Sequence, residues 1–473
     1  ASNPREVYDH TIPEKKSLKD WASTLASPGE VINLFIGVHA LTDIRQIQVI
    51  PGDLTNQSGG KLSRENLHVF RIHNTRRHAI TATGTYNLVP EVLIPLRNTP
   101  LKMKSGISVN FTFQLEIPPR TPPGLYRGNV VFIADGVKKQ AELRLRILPF
   151  TLRHPTPEEM CYVVHAGHIG NTPELANECC REFKRRKIEG ILVACQYGGP
   201  LMLKLEKVEG GPKIKSFLKG KLALDGYRAA GMKGPFLLHF SDVLEVEVAK
   251  AMGFEIPHGS EKGGVTPAMK SEEFQQAMQQ ALLEIKNFIG PDIDLYILCI
   301  DEPNQGEDRP ARAVWECQQI QAAGLKPAVY TTGPLWKTLR PYCKIIIMSI
   351  DEKGDCRLPR EEYETLVGDA AKDGIRIFRY CGTGSYNNAF GGLMPSRARA
   401  GLLSYTQDFS GQTFWLFSLG RPITFDGNEI LPASHWFPSL MYRSNPDGKI
   451  VSTLQWEGLC TAVNDYAYLY TLD

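Results

Sequence analysis

Asp301 and Glu302 stand side by side and are followed at once by Pro303. Two adjacent carboxyl groups can divide acid–base work, one donating a proton and the other staying an anion. The run before them, Leu295-Tyr296-Ile297-Leu298-Cys299-Ile300, is uninterrupted and apolar. It is too short for a membrane span and rich in strand formers, so it reads as a buried parallel strand. Pro303 has no N–H for the ladder and biases Glu302 towards extended backbone. The acids are therefore expected at the carboxyl end of a buried strand, the end that carries the chemistry in barrels of alternating strands and helices. A lone Asp there would read as an acid approaching a helix N-terminus; the Asp-Glu-Pro sequence reads as a site.

The elements that must position these acids repeat the same pattern. After residue 158, buried strands are expected at Met160–Ala166, Gly190–Cys195, Pro235–Phe240, Asp294–Ile300, Pro327–Thr331, Lys344–Ile350, Arg376–Cys381 and Thr413–Leu419. Helical stretches lie between them at Pro173–Arg186, Ser271–Phe288, Pro310–Ala323, Arg360–Asp373 and Pro395–Phe409, with a last helix at Thr453–Leu472. Gly253–Met269, rich in Gly, Pro and Lys, reads as a loop. Eight strand–helix units predict a (β/α)8 TIM-type barrel over residues 153–473. Residues 1–152 read differently. Short runs at Glu30–Val38, Ile44–Ile50, Asn66–Ile72, Ile107–Ile117, Gly128–Ala134 and Lys139–Ile147 are separated by turn signals such as Pro51-Gly52 and Pro122-Pro123-Gly124. They predict an N-terminal antiparallel β-sandwich. The fold class is thus multidomain, β plus α/β.

Each barrel strand then aims its last residues at one mouth. Strand one ends in His165 and His168, strand two in Tyr197, strand three in His239, and strand five in Tyr330, Thr331 and Thr332. Strand six is followed by Asp351 and Glu352, strand seven gives Tyr380 and a loop with Tyr386, Asn387 and Asn388, and strand eight gives Trp415. Tyr197, His239, Tyr330, Tyr380, Asn387 and Trp415 are expected to line one pocket with the acid pair. Aromatic faces beside carboxylates and amides suit a sugar, whose C–H face stacks and whose hydroxyls take hydrogen bonds. Trp415, within Phe414-Trp415-Leu416-Phe417, reads equally as pocket wall or barrel core. The spacing of the three histidines matches no zinc pattern, and neither a metal nor a cofactor is expected.

Composition sets the outer bounds. The chain has 473 residues, 42% hydrophobic and 22% charged, which is ordinary for globular domains. A net charge of +3 implies no nucleic-acid partner. Residues 1–150 carry 19 Lys and Arg against 12 Asp and Glu, leaving 35 against 39 for the rest. The part holding the acid pair is the acidic one, which argues against a highly anionic substrate. No stretch is long and apolar enough to span a bilayer. The sequence opens on Ala1, so a removed signal peptide, and with it a secreted or periplasmic location, is compatible with it. All ten cysteines follow residue 160 and none forms a CxxC pair, so buried free thiols are expected. Asn56-Gln57-Ser58 and Asn110-Phe111-Thr112 match the glycosylation pattern at a frequency near chance.

Retaining glycosidases ordinarily use two carboxyl groups about 5–5.5 Å apart, often from different strands. Strand seven here ends in Arg379-Tyr380-Cys381-Gly382, without a carboxylate. Adjacent acids suit another scheme, in which the substrate's own 2-acetamido oxygen attacks the anomeric carbon. One carboxylate orients the acetamido N–H; the other protonates the leaving oxygen and then activates water. That acid needs a raised pKa, which a neighbouring Asp charge and partial burial favour. Two alternatives stay open: a glycosidase of other specificity with Glu302 as acid and Asp351 or Glu352 as second carboxylate, and a non-catalytic carbohydrate-binding protein.

The order of sandwich, barrel and Asp-Glu-Pro is joined by a closing helix, Trp456-Glu457-Gly458-Leu459 through Asp465-Tyr466-Ala467-Tyr468-Leu469. Together with Ser27-Pro28-Gly29-Glu30 and Pro123-Gly124-Leu125-Tyr126-Arg127-Gly128, it resembles glycoside hydrolase family 123 and its wider relatives across nearly the whole chain. The resemblance implies β-N-acetylgalactosaminidase activity, so the expected function is an exo-acting β-N-acetylhexosaminidase, foremost a β-N-acetylgalactosaminidase, with substrate-assisted retaining catalysis. Asp301 would stabilise the acetamido group and Glu302 would be the acid/base. Relatives usually carry more charge in the closing helix, where this chain has Gln455, Cys460, Thr461 and Asn464.

Overall fold

The computed structural model describes residues 7–78, 86–96, 101–169, 172–195, 202–256, 264–301, 303–304, 306–331, 333–349, 358–382, 397–407, 409–418, 422–426, 429–430, 441–445 and 449–473. By compactness the chain forms two units. One comprises Ala1–His154, Thr383–Leu402 and Arg421–Asp473; the other comprises Pro155–Gly382 and Leu403–Gly420. The closing helix, Leu454–Leu472, read from the sequence with the barrel segment, groups with the β-rich unit.

In the β-rich unit two sheets share one core. The first runs Val31–His39, Ser108–Glu116, Leu67–His78, Tyr86–Pro95, antiparallel throughout. The second runs Trp21–Ala26, Val137–Ile147, Gly124–Ala134, Ile44–Pro51, Leu101–Met103, with two short strands at Leu54–Thr55 and Lys61–Leu62. Alternation does the sorting: Ala141, Leu143, Leu145 and Ile147 of one strand turn inward while their neighbours face out. They meet Leu34, Phe111, Phe113 and Leu115 of the other sheet. The Phe132 ring lies 5.7 Å from Phe111 and edge-on to Phe113 at 6.4 Å. The hairpin between Gly124–Ala134 and Val137–Ile147 turns on Asp135-Gly136, with φ of 45° and 88°. Positive φ at both centres is the type I′ turn that matches strand twist. Trp21–Ala26 lies parallel to Val137–Ile147, an exception in an otherwise antiparallel pair of sheets. Asn110 of the second glycosylation match is buried within its strand, closed to a glycosyl chain in the folded state.

The closing helix begins at Thr453, whose hydroxyl accepts from the Trp456 N–H. Glu457 accepts from Asn33 Nδ2 at 2.9 Å and from the Ser452 hydroxyl at 2.7 Å. Tyr468 donates its hydroxyl proton to Glu30 at 2.5 Å, and Asp465 takes Arg397 bidentately at 2.7 and 2.8 Å. A small sheet ordered Glu429–Ile430, Pro422–Asp426, Met441–Asn445, Ile450–Ser452 precedes it, which the sequence reading did not anticipate.

The second unit holds a closed eight-stranded parallel barrel: Cys161–His168, Gly190–Ala194, Phe236–His239, Leu295–Leu298, Lys326–Thr331, Ile345–Ser349, Arg376–Gly382 and Gly411–Ser418. All eight coincide with the expected strands to within a few residues. Cys161, Val163, Leu192, Leu237, Tyr296, Leu298, Ala328, Ile345, Ile347 and Phe378 form a single core cluster. Gly411 makes room for it. A Cβ there would stand 2.4 Å from the Phe378 ring of the neighbouring strand. Helices Pro173–Arg185, Glu272–Ile289, Arg309–Ala322 and Arg360–Asp373 also match. Further elements went unread: the hairpin Lys204–Val208/Gly211–Ser216 and the helices Leu218–Ala229, Val243–Met252 and Trp336–Leu339. Leu218–Ala229 carries two glycines and no side-chain cap, which erases the usual helix signals. The expected loop Gly253–Met269 contains a short helix, Pro267–Lys270; residues 257–263 lie outside the described residues. The expected helix Pro395–Phe409 appears as a π-helical turn, Ala398–Leu402, followed by Leu403–Thr406. None of the described helices is long and apolar enough to cross a membrane.

Candidate active site

Strand parity decides which side chains face the barrel axis. Cys161 and Val163 belong to the core cluster, so His165, two residues on, shares their face; the same step of two takes Leu237 to His239, Ala328 to Tyr330 and Phe378 to Tyr380. These four residues come from strands one, three, five and seven. A barrel core is built in layers of four from alternate strands, usually filled by Val, Ile and Leu. The layer at the carboxyl ends here is instead two imidazoles and two phenols. Its rings follow one another: His165 to His239 at 6.5 Å, His239 to Tyr330 at 6.1 Å, and Tyr330 edge-on to Tyr380 at 5.3 Å.

The two histidines are buried, and among the described residues no ring nitrogen of either has a hydrogen-bond partner. Burial holds His239 down to about 3. Burial, then His239 and Lys219, hold His165 well below the usual imidazole range. Both are therefore neutral, each offering one donor and one acceptor. Lys219, itself buried, donates to the Ala194 carbonyl at the end of strand two, and burial lowers its pKa. Leaving buried polar atoms unmade costs roughly 1–3 kcal/mol each. A layer of this kind is poor core and good lining for a polar ligand.

Asp301 follows strand four by three residues and is half-buried. The backbone beneath it is held from the next helix. Cys299 N–H still reaches the Ala328 carbonyl at 3.0 Å, the last rung towards strand five. The Ile300 N–H goes to Glu316 Oε2 at 2.6 Å, and the Arg309 guanidinium donates to the Asp301 carbonyl. Among the described residues, no group of three or more His, Cys, Asp and Glu is arranged to hold a metal ion.

Solved structures give this arrangement a context. The chain superposes on a family 123 glycoside hydrolase from Clostridium perfringens, studied for the hydrolysis of glycolipid glycans, with a TM-score of 0.72. The match covers 95% of this chain and 84% of that one at 15% identity. The chain shares the fold of that hydrolase. An endo-β-1,4-mannanase from Thermotoga petrophila gives a TM-score of 0.42 at 10% identity, over 66% of this chain and 77% of that one. A β-glucuronidase from Parabacteroides merdae gives 0.32 at 8%, over 79% and 47%. Neither of these two likenesses carries weight. No protein-family model matches the sequence, and no curated protein matches it.

Of the residues expected at the mouth of this barrel, His239, Tyr330 and Tyr380 share one layer, and Asp301 stands at the same end of the barrel. Trp415 pairs with Gly382 in strand eight; its side chain is outside the described residues, as is that of His168. Glu302, Tyr197, Thr332, Asn387, Asn388, Tyr386, Asp351 and Glu352 also lie outside them. Sequence reasoning missed the buried charges behind strand four: Glu245, Arg309, Arg312 and Glu316. Their only trace was an Arg and a Glu four apart on the helix face that also presents Ala313, Cys317 and Ile320.

Proposed function

We propose that this protein is an exo-acting β-N-acetylhexosaminidase, with β-N-acetylgalactosaminides as its leading substrates, working by substrate-assisted retaining catalysis. The observation that carries the reading is the Asp301-Glu302 pair following strand four of a barrel with the family 123 fold, opposite a seventh strand that ends without a carboxylate. Asp301 accepts the acetamido N–H and steadies the positive charge that develops as the acetamido oxygen attacks the anomeric carbon. Glu302 gives its proton to the departing glycosidic oxygen. The bond from carbon to that oxygen breaks as the bond to the acetamido oxygen forms, leaving an oxazolinium-type ring. Glu302, now a carboxylate, takes a proton from water, whose oxygen reopens the ring with net retention. His239, Tyr330, Tyr380, Tyr197, Asn387 and Trp415 supply hydrogen bonds and stacking faces to the sugar.

The test compares leaving groups. Glu302→Gln removes the proton but keeps the shape, so turnover should fall most on an alkyl or sugar aglycone and least on a nitrophenolate. Asp301→Asn should slow both alike, because ring formation precedes either departure. Equal losses for Glu302→Gln on the two leaving groups would sink the acid assignment. Full activity in Asp301→Asn, or turnover of glycosides lacking the 2-acetamido group, would transfer the second role to Asp351 or Glu352. Binding of N-acetylgalactosamine without turnover on any glycoside would mark a lectin-like protein.

A further inference from the structure

Behind strand four lies a cluster of charge that the reaction scheme does not use. Arg312 is fully buried. Its Nε donates to Glu316 Oε1 at 2.9 Å, and its Nη2 stands 3.5 Å from Glu245 Oε1. Glu245 and Glu316 are 1% and 3% exposed. Glu245 belongs to Val243–Met252, the helix after strand three, while Arg312 and Glu316 belong to Arg309–Ala322, the helix after strand four. Two carboxyls thus share one guanidinium, and burial, then the Glu245 charge, pushes Glu316 well above the usual carboxyl range.

Stability is a weak reason for such a cluster. Replacing a buried ion-pair triad with apolar side chains of similar volume is often neutral or stabilising by about 1–4 kcal/mol. The geometry supplies another reason. Strand three ends at His239, one residue short of any rung for Ile300. The Ile300 N–H would be stranded in a fully buried position. Glu316 Oε2 takes it, one peptide before Asp301, while Arg309 holds the Asp301 carbonyl.

We infer that Glu316 is a positioning residue for the Asp301-Glu302 pair: held by Arg312, it fixes the Ile300–Asp301 backbone where the barrel ladder gives out. The inference rests on the hexosaminidase reading for its effect on turnover, and on the backbone alone for its second readout. Substrate affinity should be nearly indifferent to Glu316, because the residue lies behind the strand rather than in the mouth. The chemical step should depend on it, because a displacement of about 1 Å can cost on the order of 100-fold in rate.

Three variants of the full chain test this. Glu316→Leu deletes the acceptor and leaves Arg312 paired with Glu245. Glu316→Gln keeps an oxygen for the Ile300 N–H. Because Glu316→Leu also leaves the buried Arg312 Nε without its acceptor, which can itself impair folding, a third variant, Glu245→Leu with Arg312→Met and Glu316→Leu, removes the whole cluster and should fold at least as well as the parent. On a nitrophenyl 2-acetamido glycoside, Glu316→Leu and the triple variant should lose roughly 10–100-fold in kcat with KM within about threefold. Glu316→Gln should recover kcat to within about fivefold of the parent. In hydrogen–deuterium exchange, the peptide carrying the Ile300 and Asp301 amides should exchange at least tenfold faster in the Leu variants and at the parental rate in Gln, with other barrel strands unchanged. Parental kcat in the triple variant, a loss carried by KM, or unchanged exchange at Ile300 would each overturn the inference. If the parent turns over no glycoside, the function reading fails and the exchange result alone decides whether Glu316 holds the strand end.

Discussion

Glu30 allows a prediction whose size follows from its surroundings. It is buried, it accepts from the Ser27 N–H and the Tyr468 hydroxyl, and burial pushes its carboxyl from 4.5 up to about 7. A carboxyl raised in the folded state binds its proton more tightly there than in the unfolded chain. Its stabilisation is fully present below pH 4.5 and is lost as pH rises through 7. At about 1.36 kcal/mol per unit, the loss is about 3 kcal/mol by pH 8. The parent's own pH curve hides this, because His73, half-buried and held down to about 4 by desolvation, moves stability the other way. His73 stabilisation is present above 6.5 and lost as pH falls towards 4. The difference between the parent and Glu30→Gln isolates the carboxyl. Gln keeps an oxygen for Ser27 and Tyr468 but cannot ionise. Urea or thermal unfolding of both proteins from pH 4 to 8 should show Glu30→Gln gaining about 3 kcal/mol on the parent, or roughly 6–12 °C in the transition of the unit that contains it. Parallel curves across that range would refute the burial argument for Glu30.

Two further outcomes test the barrel. His239→Leu removes two ring nitrogens that find no partner among the described residues; turnover should fall at least tenfold while stability at pH 7 holds or rises. At pH 5 the variant should gain about 2 kcal/mol on the parent, because an imidazole held at about 3 loses stabilisation as pH falls below 6.5; a variant that is less stable than the parent at both pH values would count against a ligand-facing His239. Gly411→Ala drives a methyl into the Phe378 ring and should cost about 1–3 kcal/mol in denaturant titration, with Phe378→Leu recovering part of it; additive losses would mean the two do not touch.

The barrel was legible because most of its strands are buried on both faces and written as apolar runs between turn signals, as in Gly190–Ala194 and Leu295–Leu298. Strand parity then carries Val163 to His165, Leu237 to His239, Ala328 to Tyr330 and Phe378 to Tyr380, so the polar layer follows from the strands alone. The sandwich was legible where alternation was strong, as in Val137–Ile147. Trp21–Ala26 was not, because Ala22 and Ala26 are its buried residues and small side chains leave no hydrophobic period. Tyr86–Pro95 was masked by Pro90 and Pro95, which pair opposite Asn74 and Phe70. Glu245, Arg312 and Glu316 could not be read as buried, since isolated charges on a helix signal solvent until a partner from another helix is known.

The bond between Tyr468 and Glu30 joins residues 438 positions apart, and the β-rich unit takes its closing helix from the stretch of sequence that follows the entire barrel. A ribosome adding roughly 5–20 residues per second needs from about 20 seconds to over a minute to travel that distance. Through that interval the sheets up to residue 147 can pair, yet the face that receives Leu454–Leu472 has nothing to receive. The barrel, whose eight strands run consecutively from Cys161 to Ser418, can close while its neighbour waits. The order of completion during synthesis is therefore the reverse of the order in the chain: the unit that starts first finishes last.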